Sequence, residues 1–309
     1  AFGPQALANI LLQLVKRRCQ SPRLVTGRVV ENQQVRIERR FVQMRVVSQD
    51  GQRHQDEGNE IDLLRRASKE DRALDDHAVG RDDGEGGSVR LSVWNQPGAG
   101  IYGMFARCRR LVDAADQVLG EEAYHYHSKI IMKDARVGGA WTWHQDYGYW
   151  YHYSVLRPQL ASWFIAVDPA TRENGCLQVL RGSHRVGRLE HVLSGDQAGA
   201  DPERVAEVQQ RHELVHVTME PGDALLFHCN LLHRSDRNAS EHPRWSMICC
   251  YNARGNEPYK ESKHAVYAPI DKVDDELIKQ VGIKRFADDE SNVGWLDIPQ
   301  SSIAKFLSE

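Results

Sequence analysis

The residues best able to do chemistry are the run Trp143-His144-Gln145-Asp146 and a distant His233. Two imidazoles and one carboxylate in this pattern are the donor set of a facial triad, which grips a non-heme Fe(II) on one side and leaves positions open for oxygen chemistry. Alternate residues of a strand point to the same side, so His144 and Asp146 can reach one ion while Gln145 points away. An H-x-D pair alone recurs by chance, but here a second anchor accompanies it. Arg244, in Pro243-Arg244-Trp245-Ser246, stands eleven residues after His233, which itself opens His233-Arg234-Ser235. Arg244 lies in an apolar strand-like run with Trp245, Met247 and Ile248. A guanidinium buried there needs an anion, and its planar fork suits a carboxylate held through two hydrogen bonds. Other histidines read as structural: the His125/His127 pair has no matching carboxylate, His184 sits in a Gly-Ser-His turn, and His228 precedes the loop that carries His233.

Bulk properties bound the setting. With 309 residues, 41% hydrophobic and 27% charged, the chain can form one large domain or two small ones around an ample core. A net charge of −3 gives no global basic field to attract nucleic acid. A mean hydropathy of −0.57 and short apolar runs give no membrane span. Six cysteines without a CxxC spacing read as reduced structural thiols, in the cytoplasm or another reducing intracellular compartment. Cys249 and Cys250 are adjacent within a strand-like run, so they should face opposite ways.

Three segments must position the chemistry. Residues 1–46 form a basic N-terminal segment, with nine Lys/Arg against Glu31 and Glu38. This fits either an organelle-targeting leader or an ordinary first helix and strand packing on the main domain, with Val35, Ile37, Val42, Met44 and Val46 alternating like strand residues. Residues 47–88 hold twelve acids against six bases. They read as a flexible acidic loop, linker or lid, with a short helix around Ile61–Ala67. Residues 89–309 form the main domain, with a core over 123–254. Met104, Cys108, Leu111, Val112, Ala115, Val118 and Leu119 fall at helical spacing and stop at Gly120. Strands are predicted at His127–Met132, Trp141–His144, Ala161–Asp168, Cys176–Leu180, Leu214–Met219, Ala224–Phe227 and Arg244–Tyr251, with a tight turn at Glu173-Asn174-Gly175. Helices are predicted at Glu203–Arg211, Asp274–Val281 and Ser301–Leu307. Many short strands between turn signals make the fold mainly β with flanking helices, in an antiparallel barrel or jelly roll.

These pieces, in this order, resemble the phytanoyl-CoA dioxygenase family of Fe(II)/2-oxoglutarate oxygenases, over about Arg90 to Ala253. The carriers are Trp143-His144-Gln145-Asp146, Asp168, Glu173-Asn174-Gly175-Cys176-Leu177, Gly182-Ser183-His184, Pro221-Gly222-Asp223, Phe227, His233-Arg234-Ser235 and Arg244-Trp245-Ser246. The stretch Trp143 to Trp150 is also similar to that of ectoine hydroxylases. The resemblance implies a double-stranded β-helix, a jelly-roll or cupin-like barrel with iron near one mouth. It implies that His144, Asp146 and His233 bind Fe(II), and that Arg244 pairs with 2-oxoglutarate, helped by Ser235 or Ser246, with Lys129 and Lys133 as further co-substrate candidates. It also implies O2 as oxidant, ascorbate as reductant, and a small organic substrate hydroxylated or otherwise oxidised at an unactivated C–H, with succinate and CO2 released. Halogenating relatives lack the Asp146 carboxylate, so its presence favours hydroxylation. Substrate-contact candidates are Gln145, Tyr149, Trp150 and His152. The rings around them (Trp141, Trp143, Tyr147, Tyr151 and Tyr153 included) fit core packing, a substrate pocket, or a cage for a cation. Two other functions use the same ligands: a non-catalytic metal-binding β-barrel that senses a ligand, and a hydrolytic or isomerase-like metalloenzyme. Nothing in the sequence specifies an oligomeric state.

Overall fold

The computed structural model describes residues 59–194, 197–288 and 293–296, and the backbone of a strand at 42–45. Two antiparallel sheets face each other. The larger has seven strands, in the order β1 (Val42–Arg45), β11 (Asp223–His228), β6 (Leu160–Ala166), β13 (Arg244–Ala253), β4 (Ala123–Lys133), β3 (Ser88–Trp94) and β2 (Val79–Asp82). The smaller has four: β10 (Leu214–Val217), β7 (Leu177–Leu180), β12 (His233–Ser235) and β5 (Trp141–His144). A hairpin of β8 (His191–Ser194) and β9 (Gln197–Ala200) lies beside them. This is the expected jelly roll. The helices are α1 (Glu60–Glu70), α2 (Arg72–Asp76), α3 (Ile101–Arg107), α4 (Arg109–Leu119), α5 (Asp146–Trp150), α6 (Pro202–Arg211) and α7 (Asp275–Val281). None among the described residues is long and apolar enough to cross a membrane.

Two apolar cores follow from strand alternation. On β6, Ala161, Trp163 and Ile165 pack toward α1, α3 and α4, while Leu160, Phe164 and Ala166 pack between the sheets. Strand β13 is buried along its whole length, as a central strand covered on both faces must be. Cys249 joins the helix-side core and Cys250 the inter-sheet core, so the two thiols face opposite ways as expected. One irregularity breaks the pattern. Opposite β13, Cys250 pairs with His127 and Tyr251 with His125, which leaves Tyr126 as an extra residue. A bulge of this kind bends a strand and re-aims its side chains.

The structure corrects two expectations. Residues 60–88 form two helices and the start of a β-hairpin rather than a loop or lid, the first of them being the short helix expected around Ile61–Ala67. Polar side chains act as caps and anchors: the Asn59 amide caps α1, and the acid Asp71 caps α2 while accepting from Tyr102 Oη and the Phe286 N–H. Ile61, Leu64, Ala67 and Leu74 are buried in the helix-side core. The single helical pattern from Met104 to Leu119 is split at Cys108, which adopts φ −53°, ψ 125° and bridges to Val273. Val118 is accordingly left exposed. The helix predicted at Ser301–Leu307, the alternation at Val35 and Ile37 and the basic N-terminal residues lie outside the described residues.

Candidate active site

His144 ends β5, Asp146 begins α5, and His233 begins β12 directly opposite His144 in the sheet register. One donor atom from each lies within 4.8 Å of the others, and all three residues are buried. The His144 and His233 rings stand 4.0 Å apart. Each ring donates its Nδ1–H to a backbone carbonyl, His144 to Thr142 at 2.9 Å and His233 to Leu231 at 2.9 Å. A carbonyl can only accept, so the tautomer is fixed and both Nε2 lone pairs are free to ligate. Burial holds the His144 and His233 pKa values below the usual imidazole value, which keeps both rings in the neutral form a metal needs. Asp146 Oδ2 accepts from Ser162 Oγ at 3.0 Å, which leaves its other oxygen uncommitted by that bond. Two neutral imidazole nitrogens, one carboxylate and no thiolate fit ferrous iron better than a structural zinc site.

The backbone between the ligands is held from behind. His191 Nε2 accepts the Gln145 N–H at 3.0 Å, and its Nδ1 donates to the Leu189 carbonyl at 3.1 Å. Its ring lies flat against Gly148, where an added Cβ would come within 1.9 Å of it. Only glycine fits at that point of α5.

The cavity over the triad is lined by Leu91, Lys129, Ile131, Lys133, Trp141, Tyr149, Phe164, Phe227, Arg234, Ser235, Arg244 and Ile248, among others. Arg244 is buried, donates Nη1 to Ser246 Oγ at 3.1 Å, and has a buried Nε with no hydrogen-bond partner. Lys133 faces it across the register and is fully buried; its ammonium donates to Ser235 Oγ at 2.8 Å and to the Asp236 carbonyl. Burial lowers the Arg244 pKa to about 10, and burial with the Arg244 charge pushes Lys133 well below the usual lysine value. Neither cation has a carboxylate partner among the described residues. Two buried cations without a counter-ion fit the far carboxylate of 2-oxoglutarate.

The structure brings together His144, Asp146, His233, Arg244, Ser235, Ser246, Lys129, Lys133 and Tyr149, and sets the other candidates elsewhere. Gln145 is corrected from substrate contact to scaffold: its amide donates to the Gly187 and Asn230 carbonyls and accepts the Leu189 N–H. His152 lies half-buried beside Glu190, 3.9 Å from its carboxylate, away from the cavity lining. Trp150 also misses that lining; it packs edge-on against Tyr126 and His127. Ser162 and His191 were not singled out from the sequence. A lone serine on the inner face of the apolar run Ala-Ser-Trp-Phe-Ile-Ala was the available signal for Ser162; His191 had none. Asp168, one of the resemblance residues, is buried and accepts from Arg65 and Lys69 of α1 and from the Trp245 N–H, so it ties α1 to the strand carrying Arg244.

Comparisons with known proteins agree with this geometry. The chain is 32% identical over 174 residues to L-proline trans-4-hydroxylase of Streptomyces griseoviridis, covering 51% of this chain and 65% of that one. It is 35% identical over 168 residues to ectoine dioxygenase of Sphingopyxis alaskensis, covering 50% and 55%. It thus matches somewhat over half the length of these curated relatives. The crystal structure of EctD from S. alaskensis in its apoform superposes with a TM-score of 0.60 at 25% identity, over 76% of this chain and 83% of that one. The Phytanoyl-CoA dioxygenase (PhyH) family profile matches residues 18–246, and the chain therefore belongs to that family.

Proposed function

We propose that this chain is an Fe(II)- and 2-oxoglutarate-dependent dioxygenase that hydroxylates an unactivated C–H of a small organic molecule. His144, Asp146 and His233 would hold the metal. Arg244, with Lys133, Ser235 and Ser246, would hold the far carboxylate of 2-oxoglutarate. The observation that carries the reading is the unpartnered guanidinium nitrogen of Arg244 in the same cavity as three converging donors. A metal store or sensor has no use for a buried carboxylate clamp beside its ion, and neither has a hydrolase. When bound, iron and 2-oxoglutarate supply the oxidising chemistry, in which O2 is consumed and succinate and CO2 leave as the substrate gains a hydroxyl.

The protein's own part is to position and to exclude. Ser162 fixes the Asp146 carboxylate, and the two backbone carbonyls fix the imidazoles. Leu91, Ile131, Phe164, Phe227 and Ile248 wall the cavity with apolar surface, which keeps water from the reacting centre and strengthens the Arg244 and Lys133 contacts. The named substrates of the two relatives, L-proline and ectoine, support a small polar molecule as substrate. Five free, buried thiols (Cys108, Cys176, Cys229, Cys249 and Cys250) suit a reducing compartment, and ascorbate would serve as reductant. The test supplies the purified chain with Fe(II), 2-oxoglutarate, ascorbate and O2 and follows succinate. Slow release without substrate, accelerated by one compound of a metabolite library, is expected; bound iron with no succinate under any condition would refute the proposal.

A further inference from the structure

The β4 bulge does more than interrupt a ladder. It turns Tyr126 and His127 to the same inner side of the sheet, beside Lys129 on the next inward position. From the far end of the chain, His264 arrives on the segment after β13 and stacks on Tyr126, with ring centroids 4.7 Å apart and planes at 19°. His127 lies 5.3 Å from His264, and Trp150 closes the group edge-on, 5.4 Å from Tyr126 and 5.6 Å from His127. Tyr153 packs on His264 at 4.7 Å.

Three polar atoms in this one cluster are buried without a hydrogen-bond partner: Tyr126 Oη, His127 Nδ1 and His264 Nδ1. Tyr126 is fully buried and His127 is 4% exposed. Buried polar atoms are almost always paired, and each one left over calls for an explanation. Three of them on rings packed against one another mark a place where partners come from outside the chain. Lys129 supplies the other half of the argument. It lines the metal cavity, it follows His127 by two residues on β4, and it has no ion pair among the described residues. Lys129 thus belongs both to the metal cavity and to the stretch of β4 that carries Tyr126 and His127. With the Arg244–Lys133 pair committed to the co-substrate, Lys129 is the cavity cation left without an anion.

We propose that Tyr126, His127, Lys129 and His264 form a subsite for the acid group of the substrate, a small carboxylic or phosphonic acid. The inference rests on the dioxygenase reading for its metal centre and for the choice of Lys129, but not for Tyr126, His127 and His264. Tyr126 Oη and the imidazole N–H groups donate to the acid oxygens while Lys129 neutralises them. The rings of Trp150 and Tyr153 exclude water around the group. In this arrangement Trp150 acts as a wall of the subsite, and the segment after β13 becomes part of the site.

The test has two arms. First, Tyr126→Phe and His264→Phe are made, each keeping its ring and removing polar atoms. Without ligand, Tyr126→Phe is expected to melt at the same temperature as the wild type or higher, because the hydroxyl it removes has no partner. A clear fall would mean the hydroxyl is already satisfied, and would overturn the proposal. Second, the full chain is loaded with Fe(II) and 2-oxoglutarate without oxygen. It is then titrated calorimetrically with a panel of small carboxylic and phosphonic acids, L-proline and ectoine among them, each beside its carboxamide or ester. At least one acid should bind. Its neutral counterpart should bind about tenfold or more weakly, and each variant should lose about tenfold in affinity for the acid, the worth of one hydrogen bond to a charged group. Acids that do not bind, neutral counterparts that bind equally, or variants that bind the acid as the wild type does would each overturn it. Failure of the wild type to bind Fe(II) and 2-oxoglutarate would instead count against the dioxygenase reading, leaving the melting arm to decide on the subsite.

Discussion

Arg244 is the side chain on which the reading of the cavity turns, and its environment predicts how it fails. Arg244→Ala removes the fork and leaves the triad untouched. Iron retention should stay near wild type, while 2-oxoglutarate affinity should fall by roughly a hundredfold or more, the ~3–5 kcal/mol that breaking a buried ionic contact costs. Arg244→Lys should recover little, since a point charge cannot make a two-pronged contact. Spectroscopic titration of the Fe(II)-loaded protein with 2-oxoglutarate, in the absence of oxygen, measures both. The triad and Arg244 were legible in the sequence because each needs one chemical type at one spacing. Gln145 and His152 were misplaced for a local reason. Strand alternation stops at His144 and α5 starts at Asp146, so the direction of the neighbouring side chains could not be extrapolated along the chain.

Gly148 and His191 show how whole elements hold the ligands. α5 is short, and its position depends on the flat contact between the Gly148 backbone and the His191 ring. In Gly148→Ala a methyl group is forced into that ring, at a cost of about 1–3 kcal/mol if the helix shifts to escape it. Since the same ring accepts the Gln145 N–H, the shift should pass to His144 and Asp146. A lower melting temperature together with weaker Fe(II) binding is expected. The double variant Gly148→Ala/His191→Ala should recover the melting temperature more than the metal affinity, because it restores space but not the hydrogen bond. Equal recovery of both would argue that His191 only fills space. The same scale explains why α1 was legible only as a short helix around Ile61–Ala67 and why α2 and the hairpin after it were not. The acids around α2 suggested a solvated loop, whereas Asp71 is a cap and an anchor; the stripe Ile61, Leu64 and Ala67 marked only the middle of α1, which runs from Glu60 to Glu70.

For the molecule as a whole, buried neutral histidines set the response to acid. Burial lowers His125 and His191 to about 4 and His264 to about 3. In the unfolded chain these rings titrate near 6.5, so between about pH 6.5 and 4 the unfolded state binds more protons. Stability is therefore fully present above about pH 6.5 and is lost as pH falls through that window. A urea midpoint that is flat from pH 7 to 8 and declines below about 6 is expected; a midpoint rising on acidification would contradict the burial of these rings. The jelly roll itself was readable from short strands and turn signals. The β4 bulge was not, because an extra residue leaves no mark on composition, and the C-terminal segment gave no periodic clue that His264 would return to the sheet.

Across the register of β4 and β13, Lys133 and Arg244 stand as like charges shut into one compartment. Each makes the other harder to keep until something negative comes between them. The resting protein is therefore loaded like a compressed spring, and filling the compartment should release it. Small dianions such as malonate, which cannot support turnover, should raise the melting temperature well beyond what chloride does at equal ionic strength, and Arg244→Ala should erase that difference. The protein would thus reach its full stability only once an anion has entered that compartment.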